Sequence, residues 1–234
     1  MKSFIVLRKE IKKLNTSIIS FLGIILISVV PIIIDSFTLK DNLENSRFAA
    51  IRYLDESFLI GMFLIPLIVF VIYYYDSKSD ILNIIYTNPI SPFQYSFGKL
   101  LTIICVYLQY ILLGSIITII FPIFYGKDIY SIYTFIITFL LFSFPLVIFY
   151  ITLSNLINIL LRHSIISIIL PLFVFFVLDK IPIFSGFHRL KYSQMFIKSN
   201  YIDSQVMIVG AVYIGVAILC IALSTIIYCG QNNN

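Results

Sequence analysis

Residues 86–99 read YTNPISPFQYSFGK, a polar, proline-punctuated island between two long apolar runs. The runs on either side, Ser57 to Tyr75 and Leu100 to Tyr125, are of bilayer-crossing length. A hydrocarbon core of about 30 Å takes roughly 20 helical residues at about 1.5 Å each. The island is therefore a connection between two membrane spans, and the rest of the chain repeats the pattern. Further runs cover Thr16 to Phe37, Ile132 to Asn155, Ser164 to Leu178 and Val206 to Tyr228.

Composition agrees. The chain is 60% hydrophobic and only 12% charged, and its mean hydropathy is +1.04. So few polar residues cannot cover a soluble globule of 234 residues. Spanning β-strands would alternate apolar and polar positions, whereas these runs are apolar on every side. A helix is then the way to satisfy the backbone in lipid. The expectation is an all-α, polytopic bundle of six spans forming one transmembrane domain over residues 1–234.

The leading segment MKSFIVLRKEIKK is basic and precedes an apolar run, as in a signal peptide. The run is long, ends in Asp35 and has no small-x-small cleavage site, so it reads as a retained first span. Phe4, Leu7, Ile11, Leu14 and Ile18 recur at spacings of three and four with basic residues mostly between them. That pattern predicts an amphipathic helix lying in the membrane interface against lipid, with a plain positive-inside anchor as the simpler reading. Cys105, Cys220 and Cys229 fall in or at the end of spans and read as packing residues.

Lys2, Arg8, Lys9, Lys12 and Lys13 argue for a cytoplasmic N-terminus, and six spans would return the C-terminus to the same side. The full count is a tie. With Lys78, Lys99 and Arg162 the inner side has eight cations, and Lys40, Arg47, Arg52, Lys127, Lys180, Arg189, Lys191 and Lys198 make eight outside. Orientation therefore rests on the cluster beside the first span. Leu39 to Glu56 and Ile181 to Gln205 read as outer loops.

The segment from Asp76 to Lys99 has a specific grammar. Ser77 and Asp80 have capping-box spacing, and Ile81, Ile84 and Ile85 follow on one face, predicting a helix of about two turns. It must stop at Thr87-Asn88-Pro89, because the proline pushes Asn88 out of the helical region. Ser91 then supplies a second N-cap, Pro92 the first helical position, and Gln94 reaches back to the cap. A loop that only turns the chain needs no isoleucine face, so a docking role for this surface helix is favoured over simple turning.

In this layout, and in Thr87, Pro89, Ile90, Ser91, Gly98 and Lys99, the chain resembles the ABC transporter type-2 permease family. Where that family commonly carries a glutamate and Gly-Thr ahead of the turn, this chain has Asp76-Ser-Lys-Ser-Asp80. The resemblance implies a cytoplasmic coupling helix that docks on a separate ABC ATPase subunit, with Ile81, Ile84, Ile85, Thr87, Pro89 and Ser91 in the coupling region. The chain has no G-x-x-x-x-G-K-[ST], so ATP and Mg are expected on the partner and no cofactor or metal on this chain. Six spans are half of such a transporter and no internal repeat supplies the rest. A second permease chain, identical or homologous, is implied.

Rival classes find less support. A secondary transporter is expected to show ionisable groups at mid-membrane depth, and Asp35, Asp76 and Asp179-Lys180 read as lying at span ends. Gln109 could line a pathway, though packing against a neighbouring helix is the plainer reading. His163 and His188 fall on opposite predicted sides and cannot share a metal or dyad, so no enzyme is expected. No nucleic-acid partner is expected. A non-transporting scaffold stays open. The expectation is an exporter subunit in a plasma membrane, moving a hydrophobic or amphipathic cargo such as a membrane-active peptide. The abundance of Ile, Asn, Lys and Tyr points to an AT-rich bacterial genome.

Overall fold

The computed structural model describes residues 6–11, 22–33, 46–78, 91–120, 136–162, 164–178, 180–181 and 204–232. Among these, all regular structure is helical. After a short helical stretch at residues 6–11 come α1 (Leu22–Ile33), α2 (Ser46–Lys78) and α3 (Pro92–Ile120). They are followed by α4 (Ile136–Leu160), α5 (Ile166–Leu178) and α6 (Ser204–Asn232). Four of these, α2, α3, α4 and α6, carry apolar windows of 22 to 25 residues, long enough to cross a membrane. The apolar helices α1 and α5 are shorter among the described residues.

The second helix is the hub. It packs against α1, α3, α4 and α5, and 61% of its window is buried within the bundle, against 28% for α6. The last helix leans on α4 and α3 and leaves Ile218, Leu219, Leu223 and Ile226 exposed. In lipid such apolar faces carry no penalty.

Helix limits depart from the expected spans where apolar content is a poor guide. α2 begins at Ser46 and its apolar window at Tyr53, so Asp55 and Glu56, expected in a loop, lie in the first turn of the window. Ala, Leu, Arg and Glu are all good helix formers and carry the helix through this polar stretch. α3 begins at Pro92 where the span was expected from Leu100, so Lys99 lies two turns inside the helix.

Among the described residues two π-helical segments interrupt the bundle, Ile25–Val29 in α1 and Phe139–Ser143 in α4. Each ends two residues before a proline, Pro31 and Pro145. A helical proline has no N–H to donate and its ring collides with the carbonyl four residues back. Those carbonyls belong to Ile27 and Leu141, each inside a π segment, where the widened turn makes room. Pro66 and Pro171 sit inside α-helix.

Tyrosines lock α1, α2 and α3 together. The ring of Tyr107 fills the space beside Gly61, whose Cβ, if present, would lie 2.9 Å from Tyr107 Cζ. Tyr53 does the same at Gly114, 2.6 Å from its Cζ, and Tyr110 at Gly23, 2.6 Å from its Cε2. Close approach brings the hydroxyls onto neighbouring backbones. Tyr107 donates to the Ser57 carbonyl at 3.2 Å, Tyr53 to Ile111 at 3.2 Å and Tyr150 to Met62 at 2.8 Å. Ser28 adds a bond from α1 to the Tyr110 carbonyl at 3.0 Å. A helical carbonyl has a second lone pair, so each hydroxyl is satisfied without breaking a helix.

Candidate functional site

The site is built upward from Ser91. Its side chain accepts a hydrogen bond from the Gln94 backbone N–H at 3.2 Å, while Gln94 Oε1 accepts from the Ser91 N–H at 3.3 Å. Pro92 occupies the first helical position. The predicted cap is present in both directions. Ser91 itself is exposed.

From that start, Tyr95 and Lys99 fall four residues apart on one face of α3 and both turn into the bundle. Lys99 is fully buried, at 0% exposure. Its Nζ donates to the Ile72 carbonyl on α2 at 2.9 Å. The same nitrogen lies 4.4 Å from the ring centre of Tyr73 and 4.7 Å from that of Tyr95. A cation over an aromatic face is held by the ring quadrupole, more strongly when water is excluded. Tyr228 of α6 completes the group, stacked on Tyr95 at 5.9 Å and edge-on to Tyr73 at 6.5 Å. All three tyrosines are buried.

Residues from three helices thus meet at the end of the bundle where α2 finishes and α3 begins. Among the described residues no group of three or more His, Cys, Asp or Glu could hold a metal. The chemistry of the cluster is mechanical: it joins the two helices flanking residues 79–90 to each other and to the last helix.

The sequence-predicted residues fall unevenly. Ile81, Ile84, Ile85, Thr87 and Pro89 lie outside the described residues, as do Phe4 and Leu14. Leu7 and Ile11 are half-buried, with Val6 and Glu10 the most buried positions of that turn and Arg8 and Lys9 exposed. Within this stretch Val6 lies in the core and Ile11 packs on it. Gln109 is exposed on the outside of α3.

Sequence reasoning missed Lys99, Tyr73, Tyr95 and Tyr228 as a unit. One signal was available: a helix capped at Ser91 necessarily carries Lys99 two turns inward, beneath an apolar run.

A family model described as ABC-2 family transporter protein matches residues 6–179. No curated protein and no solved structure matches the chain.

Proposed function

The chain belongs to the ABC-2 family of transporter proteins, and from that premise we propose that it is the membrane subunit of an ATP-driven exporter. Membership makes it a permease, a multi-pass membrane component that works with an ABC ATPase and is not itself the catalyst. In our reading the ATPase docks on residues 79–90, through Ile81, Ile84 and Ile85, and the capped turn at Ser91 passes its movement into α3. The observation that carries this reading is the reciprocal Ser91–Gln94 cap, because a docking segment transmits force only if its exit is stiff.

Two permease chains with two ATPases complete the transporter in this reading, within a bacterial plasma membrane and with both termini cytoplasmic. Gln109 supports the second chain. Its amide lies in the apolar window of α3 on the outside of this bundle, where lipid gives it no hydrogen-bond partner and another helix can. The cargo in this reading is hydrophobic or amphipathic, such as a membrane-active peptide.

The test is recovery of the ATPase on immobilised permease, at matched membrane levels of wild type and Ile84→Asp. Burying an unpaired carboxylate in the contact costs several kcal/mol, which lowers affinity by orders of magnitude. Recovery should fall to background for Ile84→Asp. Equal recovery would reduce residues 79–90 to a turn.

A further inference from the structure

Lys99 is a fully buried cation. Withdrawing an ammonium from water carries an effective penalty of several kcal/mol, and an apolar side chain of similar length avoids it. The other cations whose side chains are described, Arg8, Lys9, Arg162 and Lys180, are all exposed. The buried one sits where α2, α3 and α6 converge, next to the connection that leads from Lys78 to Ser91.

The contacts differ in kind from those elsewhere in the bundle. Where Tyr107, Tyr53 and Tyr110 interlock with glycines, α1, α2 and α3 are keyed by shape, and sliding is blocked by hard contact. Around Lys99, a flexible four-carbon stem carries a charge over two ring faces. The stem is flexible and its three donors rotate, so the joint can shift while Nζ stays on the Ile72 carbonyl and over the two rings. Tyr228, stacked on Tyr95, links this joint to α6, whose other contacts are mainly with α4 and α3.

We propose that Lys99 is a positioning residue of the transport cycle, the joint through which displacement of residues 79–90 reaches the last helix by way of Tyr95 and Tyr228. This deepens the exporter reading and rests on it. An ATPase-driven push on the segment moves the feet of α2 and α3, and the lysine-centred cluster hands that movement to α6. Without the cation, α2 and α3 still pack through the tyrosine–glycine joints and Tyr228 still meets Tyr95 and Tyr73, but the charge that draws those two rings to one point is gone and they no longer move as a unit.

The chain's own cysteine beside the joint reports the movement. Cys229 follows Tyr228, is partly exposed and is a free thiol. In a Cys105→Ala, Cys220→Ala background, Cys229 is labelled with a maleimide in the permease–ATPase complex, nucleotide-free and then with ATP and vanadate. The wild-type joint should give two different labelling rates. Lys99→Met should abolish the difference while the ATPase is recovered in equal amount, and Lys99→Arg should restore it. Tyr228→Leu, which keeps the lysine and removes the ring that links it to α6, should also abolish it. That variant decides the matter if Lys99→Met fails to insert.

A nucleotide-dependent rate that survives in Lys99→Met or Tyr228→Leu would overturn the proposal, as would equal rates in the wild-type complex. If no ATPase accompanies the wild-type permease, the exporter reading itself fails, and this is seen before any substitution at the joint.

Discussion

The ring of Tyr107 lies where the side chain of residue 61 would stand, and Gly61 permits it by having none. A Cβ there would be 2.9 Å from Tyr107 Cζ and closer still to its hydroxyl. The ring cannot simply swing away, because its hydroxyl is bonded to the Ser57 carbonyl. Gly61→Ala should therefore lower stability by about 1–3 kcal/mol, the usual penalty of overpacking. Thermal unfolding in detergent would measure it. Tyr107→Phe removes the nearest atom, so in the double variant part of the loss should return. Simple additivity of the two losses would argue against the interlock.

Tyr150 separates the worth of a hydroxyl from that of a ring. Its hydroxyl donates to the Met62 carbonyl at 2.8 Å, and its ring packs edge-on against Phe58 and Phe175. Tyr150→Phe should cost about 0.5–1 kcal/mol, as interhelical hydrogen bonds in membranes usually do. Tyr150→Ala should cost about 3–5 kcal/mol through the cavity it leaves. Similar losses in the two variants would mean that the hydroxyl, not the packing, joins α4 to α2.

The cap at Ser91 predicts a local effect. Ser91→Ala should cost about 1 kcal/mol, and the change should appear as faster hydrogen exchange at the first amides of α3, Gln94 above all. Ser91→Asp, another good cap, should restore protection. Unchanged exchange in Ser91→Ala would show that tertiary packing alone holds the start of α3.

Nucleotide chemistry gives the simplest check. The isolated permease should bind no ATP in equilibrium dialysis with or without Mg, because it has no glycine-rich loop of backbone N–H groups to cradle the phosphates. Saturable binding near one nucleotide per chain would remove the need for a partner ATPase.

Much of this architecture is legible in the sequence where the governing interactions are local. Apolar runs marked the helices because lipid forces each segment to satisfy its own backbone. The Ser91–Gln94 cap was legible for a related reason, since both partners lie within four residues and their geometry follows from the helix start. The start of α2 was not, because Ser46 to Glu56 forms helix without being apolar, and hydropathy does not register helix propensity. The π segments were also missed, although each stands just before a proline. Of Pro31, Pro66, Pro145 and Pro171, which lie in the interiors of described helices, Pro31 and Pro145 have one and the other two do not, so the local residue type does not decide it.

The candidate site shows the boundary most clearly. The sequence by itself determined that the chain is helical with several apolar helices, and that α3 starts at the Ser91 cap. Each of these follows from composition or spacing. It also placed Lys99 just before the third span and counted it among the cations of the inner side. Only the tertiary structure decided that Lys99 is buried. Burial is conferred by neighbours, and here those are Ile72 and Tyr73 on one helix and Tyr228 on another far along the chain, all beyond the reach of periodicity. Gln109 makes the same point in reverse. Its position within an apolar run was plain, whereas its outward direction was set by which face of α3 the other helices covered.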